Sequence, residues 1–351
     1  MTRTNRLKYT SVEICAGAGG QAVGLHNAGF KHAALIEIDK DACQTLRSNI
    51  ARHEEWDGCR VIEADLREFK PEELGMEPGT LDLLAGGVPC PPFSAAGKQL
   101  GADDERDLFP EMLRLVDELE PKAVMIENVR GLLDVKFADY RKDVASRLES
   151  MGYEVCYWDL LEAKNYGVPQ LRPRAILVAM KPSYAKHFQH SKPEERKLVS
   201  VGEALHDSMR ARYDSVTDPR ADMAFKRWYE KALEGVAPTV VGGSKKHGGA
   251  DLGPTRAKRA WAELGVCGLG VANEPEDMKD AERDLFAPAG PKLTVTQAAL
   301  IQGFPEDWKF SGKKTAAYRQ VGNAFPPPVA QAVGEQIYAA FEAAAEAERA
   351  S

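Results

Sequence analysis

Nowhere does the chain hold an apolar run approaching the roughly 18 residues that cross a bilayer, and its opening, MTRTNRLKYT then SVEIC, lacks the apolar stretch of a signal peptide. A cytoplasmic protein without a membrane partner is therefore expected. Its six cysteines, Cys15, Cys43, Cys59, Cys90, Cys156 and Cys267, form no C-x-x-C pair and have no His cluster beside them. That spacing argues against a zinc site or a disulfide framework, and reduced thiols with no bound metal are expected. Self-similarity at a fixed period is also missing, which excludes a repeat architecture. Basic excess is absent too: 46 Lys and Arg stand against 53 Asp and Glu, a net charge of -7. An anionic partner must therefore be met by a local patch. One exists between Gly242 and Ala260, where Lys245, Lys246, Arg256, Lys258 and Arg259 face only Asp251. What remains, 44% hydrophobic and 28% charged residues over 351 positions, suffices for one large domain and a smaller one.

From Ser11 to Met180 short β-branched runs alternate with helical stretches: SVEIC, AALIE, RVIEA, LDLLAGG, AVMIE, YEVCYWDLL and AILVAM are the strands expected. Such alternation predicts a doubly wound, mostly parallel α/β sheet. Between strands, Phe109, Met112, Leu113, Val116 and Leu119 repeat at helical spacing. After Lys181 the pattern gives way to polar, Gly- and Pro-rich sequence as far as about Pro291, which reads as a smaller, irregular domain. From Leu293 regularity returns, and Val329, Val333, Ile337 and Phe341 mark a terminal helix opened by Pro326, Pro327 and Pro328, with AAAEAERAS expected to fray. The domains expected are 1–180 with 291–351, and 181–290.

The first strand runs into Ala16-Gly17-Ala18-Gly19-Gly20, where glycine permits a tight turn and close approach of backbone to a ligand. Glu37, 20 residues after Gly17, ends the second strand, where a carboxylate can accept from two ribose hydroxyls. Asp65, after the third, is placed to accept from an adenine amino group. Turn and acids alone fit either a dinucleotide or S-adenosylmethionine.

After the fourth strand comes Gly86-Gly87-Val88-Pro89-Cys90-Pro91-Pro92. A lone Cys is usually an inert core residue. Here flanking prolines restrict the backbone and present the thiol at the sheet edge. The fifth strand ends in Glu127-Asn128-Val129, and Gln170-Leu171-Arg172-Pro173-Arg174 sets two guanidinium groups beside the last strand.

In these motifs, and in Lys292-Leu293-Thr294 and Gln320-Val321-Gly322-Asn323, the chain resembles the DNA (cytosine-5) methyltransferases outside 181–290. The resemblance implies a Rossmann-like methyltransferase domain with a target-recognition domain at 181–290, S-adenosylmethionine as cofactor and double-stranded DNA as partner. It implies that Cys90 attacks carbon 6 of a flipped cytosine while Glu127 acts at ring nitrogen 3, Arg172 holding the carbonyl oxygen and Arg174 bracing the group. Cofactor contacts implied are Cys15, Ala16, Gly17, Gly19 and Gly20 in the first turn, then Glu37, Ile38, Asp65 and Leu66, and finally Pro89, Leu108, Asn323 and Ala324. Ser94 to Leu108 resembles the family's closing loop, with Ser94 and Arg106 as DNA contacts. Further DNA contacts are expected from Thr239, Lys245, Lys246, Arg256 and Arg259. Where many relatives carry Phe, Gln and Glu, this chain has Cys15, Pro91 and Gln297.

Three other readings stay open. Gly17-x-Gly19-x-x-Ala22 with Glu37 also satisfies a nicotinamide oxidoreductase pattern, though it leaves Cys90, Glu127 and the arginines unexplained. A tRNA cytosine-5 methyltransferase shares the Pro-Cys and E-N-V elements, but the long variable segment favours DNA. A catalytically idle DNA-binding relative is disfavoured because every reacting group is present. A monomer is expected, with a cognate restriction endonuclease as a functional companion rather than a stable partner.

Overall fold

The computed structural model describes residues 7–89, 107–191, 197–242 and 250–350. All seven expected strands form: β1 (Tyr9–Ile14), β2 (Phe30–Glu37), β3 (Arg60–Glu63), β4 (Leu83–Gly86), β5 (Ala123–Val129), β6 (Glu154–Glu162) and β7 (Pro173–Met180). They make one sheet of order β3-β2-β1-β4-β5-β7-β6. β2, β1, β4 and β5 run parallel, and β7 lies antiparallel to β5. Chain order reverses between β1 and β4, which opens a crevice at the carboxyl ends of these strands.

Helices α1 (Gly20–Ala28), α2 (Lys40–Ile50), α3 (Phe109–Leu119), α4 (Ala138–Ser150) and the short α5 (Pro182–Ala185) alternate with the strands. Then come α6 (Val201–Asp214), α7 (Ala221–Ala232), α8 (Thr255–Glu263), α9 (Ala281–Asp284), α10 (Val295–Gln302), α11 (Lys314–Asn323) and α12 (Pro327–Ala350). On one sheet face Val12, Ile14, Leu84 and Val124 meet Phe109, Met112 and Val116 of α3 and Val144 and Leu148 of α4, all buried. The stripe expected of α12 is buried at Val329, Val333, Ile337 and Phe341. Its tail does not fray: helix runs to Ala350, as its alanine-rich sequence favours.

Two compact units result, one of 1–161, 173–192 and 329–351, the other of 162–172 and 193–328. The boundaries expected at 180/181 and 290/291 do not coincide with them. Buried hydrogen bonds within the second unit explain the difference. Arg212 of α6 donates to the Lys292 carbonyl and to Gln297 Oε1, both at 2.7 Å, so residues after Pro291 pack with α6. Gln170 donates to Gln302 Oε1 at 2.6 Å and accepts from the Val240 amide at 2.8 Å. The expected irregularity of 181–290 is also corrected, because α6 buries Val201, Leu205 and Met209 and α7 buries Phe225, Trp228 and Ala232. Among the described residues no helix is long and apolar enough to cross a membrane.

Candidate active site

Where β1 ends, Cys15 (φ 51°), Gly17 (φ 54°) and Gly19 (φ 89°) are all left-handed, a run that turns the chain sharply into α1. The Gly17 amide donates to Glu37 Oε2 at 2.7 Å, and Glu37 Oε1 accepts from the Ile38 and Asp39 amides at 2.9 and 2.8 Å. One carboxylate thus ties the ends of β1 and β2 together. Beside it lies a cavity of about 230 Å³ lined by Cys15, Glu37, Ile38, Asp65, Leu66, Pro89 and Leu108, together with Ile36, Ala64 and Arg67. The first seven are residues singled out from the sequence; the last three are not. Ala16, Gly17, Gly19 and Gly20 shape the adjoining turn. Burial, reinforced by Glu37, Glu13 and Asp65, pushes the Cys15 thiol up to about 12, so it is no nucleophile at neutral pH. At the end of β1, burial first and then Glu37 push the carboxyl of fully buried Glu13 well above its usual range.

At the next strand ends, the β5–β7 register sets Ile176 opposite Glu127 and Arg174 opposite Val129. Arg174 Nε approaches Glu127 Oε1 at 2.6 Å, each side chain being only 12% exposed. The N–H is not directed at that oxygen, which makes the contact an ion pair more than an aligned hydrogen bond. Glycine leaves room for the carboxylate, since a Cβ on Gly87 would lie 2.9 Å from Glu127 Oε2. A Cβ on Gly86 would collide with Ile14, at 2.6 Å from its Cγ1. Asn128 of the E-N-V run donates to the Val88 carbonyl at 2.8 Å, and the Leu108 amide donates to the Pro89 carbonyl at 3.1 Å. The residue before Cys90 is therefore fixed. Cys90, Ser94 and Arg106 lie outside the described residues, as do Lys245 and Lys246.

Within the second unit, Arg172 is buried and donates to the carbonyls of Val240, Gly322 and Ala324 at 2.7, 2.9 and 2.8 Å. Arg172 thus has its guanidinium on backbone carbonyls, whereas Arg174 lies against Glu127. Gln302 also reaches the Val321 and Ala324 carbonyls, at 2.8 and 3.1 Å. Asn323 and Ala324 thus belong to a backbone knot in which a Cβ on Gly322 would collide with Val241 and Gly242, and one on Gly242 with Asn323. Thr239 gives its hydroxyl proton to the Leu171 carbonyl. On α8, Arg256 and Arg259 are exposed, whereas Lys258 is paired with Asp251 at 2.7 Å.

A mostly parallel sheet of this order, with β7 antiparallel, a cavity at the carboxyl ends of β1 to β3 and a Glu–Arg pair at the next strand ends, accords with a Rossmann-like methyltransferase. Solved structures share the fold: Entamoeba histolytica methyltransferase EhMeth (TM-score 0.61, 15% identity, covering 94% of this chain and 98% of that one) and Spodoptera frugiperda DNMT2 (TM-score 0.60, 15% identity, 94% and 100%). Residues 9–339 match the family profile of the C-5 cytosine-specific DNA methylases, and the chain belongs to that family. It is 51% identical over 332 residues to the Type II methyltransferase M.NaeI of Lentzea aerocolonigenes, covering 94% of this chain and 75% of that one. To M.NgoMIV of Neisseria gonorrhoeae it is 49% identical over 341 residues, 96% and 99% of the two chains. The enzyme is a DNA (cytosine-5) methyltransferase, and the oxidoreductase and tRNA readings fall away.

Proposed function

We propose that the protein methylates carbon 5 of cytosine within a specific double-stranded DNA sequence, holding S-adenosylmethionine in the cavity at the ends of β1 to β3. The observation that carries this reading is the pairing of that cavity with Glu127 and Arg174 on the neighbouring strands. The cofactor fits the donor set. Aliphatic Ile36, Ile38, Leu66 and Leu108 suit the faces of an adenine ring, Asp65 supplies an acceptor for its amino group, and Glu37 Oε2, with one amide on it, keeps an acceptor position for ribose. When bound, S-adenosylmethionine supplies an electrophilic methyl group on a sulfonium.

Cytosine carbon 5 is a weak nucleophile, and Cys90 corrects this by attacking carbon 6 as thiolate, which moves an electron pair toward carbon 5. Glu127 delivers a proton or hydrogen bond to ring nitrogen 3, and Arg174 orients Glu127 and holds the cytosine carbonyl oxygen. Arg172 braces the segment that carries Arg174. After methyl transfer, a base removes the carbon 5 proton and the carbon–sulfur bond breaks, returning Cys90 as thiolate. The target must leave the base stack, at a cost of a few kcal/mol. Sequence choice belongs to the second unit, where exposed Arg256 and Arg259, with Lys245 and Lys246, meet DNA. A role in a restriction–modification pair accords with the Type II methyltransferase relatives.

Bisulfite sequencing of DNA from a host expressing the protein tests this reading. One short motif should carry protected cytosines, and expression of Cys90→Ser should protect none. Wild-type expression that leaves every cytosine convertible overturns it.

A further inference from the structure

Asp65 in the cavity already has company. Its Oδ1 accepts from the Arg67 amide and from Arg67 Nε, both at 3.0 Å, and its Oδ2 accepts from Arg67 Nη2 at 2.6 Å. Both residues line the cavity, and the pair spans one turn after β3. An ionised carboxylate offers about four lone-pair positions, and a two-pronged guanidinium fixes its plane as a single charge cannot. Three donors reach Asp65 among the described residues, so one acceptor position is left, on Oδ2.

We infer that Arg67 is a positioning and specificity residue for the cofactor: it locks Asp65 so that its one remaining lone pair meets one N–H of a 6-amino purine. The inference rests on the proposal that this cavity takes the adenine of S-adenosylmethionine. A 6-oxo purine would present an acceptor oxygen to the same carboxylate oxygen and be repelled. Without Arg67 the carboxylate turns freely and meets the amino group only part of the time. The hydrogen bonds from Arg67 also keep the Asp65 carboxyl below its usual range, so it stays an acceptor throughout the neutral range. Arg67 touches the cofactor's partner and acts through it.

Calorimetry with S-adenosylhomocysteine and its inosyl analogue tests the inference on wild type, Arg67→Ala, Arg67→Lys, Asp65→Ala and the Asp65→Ala/Arg67→Ala double variant. Arg67→Ala should weaken S-adenosylhomocysteine about ten-fold and erase most of the preference over the inosyl analogue. Arg67→Lys should fall between it and wild type. The double variant should bind no worse than Asp65→Ala, because Arg67 acts through Asp65. In turnover, Arg67→Ala should raise KM for the cofactor and leave kcat unchanged. Binding by Arg67→Ala equal to wild type, or additive losses in the double variant, overturns the inference and leaves the cofactor proposal standing. Wild-type protein that binds neither ligand overturns both.

Discussion

Arg172 and Arg174 stand two residues apart in one motif and meet different partners. Arg172→Ala would take this donor from the buried Val240 and Gly322 carbonyls and leave the Ala324 carbonyl to Gln302, and at roughly 1 to 3 kcal/mol for each of the first two a loss of at least about 2 kcal/mol in unfolding free energy is expected by denaturant titration. Arg174→Ala should unfold near the wild-type midpoint and lose kcat about a hundred-fold or more. Equal destabilisation by the two would remove the distinction. Sequence alone offered no way to divide them, since both are Arg beside a strand and the difference lies in what each meets after folding. Glu13 was equally silent. Its folded-state pKa is raised, so above the unfolded carboxyl value near 4.5 the unfolded chain releases a proton that the folded chain keeps. Its contribution is therefore intact below about pH 4.5 and is lost as pH rises, by about 1.4 kcal/mol for each unit of elevation. Glu13→Gln should thus raise the melting temperature at pH 8 and change it little at pH 4.5; a gain independent of pH contradicts the assignment.

At the scale of elements, all seven strands were legible because β-branched runs bounded by turns recur along the first 180 residues. Glu37, Asp65 and Glu127 were legible as strand-end acids for the same reason. Helices α6 to α8 were not, because four apolar residues at most mark each stripe, and Trp261 alone is buried on α8, among charged neighbours such as Glu203, Asp207 and Arg210. Nor could spacing show that Gly322 passes against Gly242, a contact between positions 80 residues apart. It admits no side chain. Gly322→Ala would drive a methyl into backbone rather than into a yielding side chain, and a loss of about 1 to 3 kcal/mol or more is expected, with α10 and α11 displaced. An amide-exchange experiment should show faster exchange in both helices; unchanged protection would mean that the crossing tolerates a side chain.

The whole molecule carries a net charge of -7 and still acts on DNA, so a local basic patch must meet the phosphates. Replacing both Arg256 and Arg259 by Ala should lower affinity on every sequence and reduce the slope of log affinity against log salt by about two units. An unchanged slope would place the phosphates elsewhere. The two units part at other positions than 180/181 and 290/291, since the segment from Lys292 to Pro328 carries family motifs yet packs with α6 through Arg212. All of these expectations serve one chemical claim, that Cys90 bonds to carbon 6 of a cytosine while the methyl group is transferred. Duplex DNA bearing 5-fluorocytosine at the methylated position tests it most directly, because fluorine cannot leave as a proton does and the adduct is trapped. Wild-type protein with S-adenosylmethionine should yield a covalent complex on a denaturing gel with DNA attached to the peptide containing Cys90, and Cys90→Ser should yield none. A trapped complex of equal amount from the Ser variant, or attachment through another residue, would contradict the account.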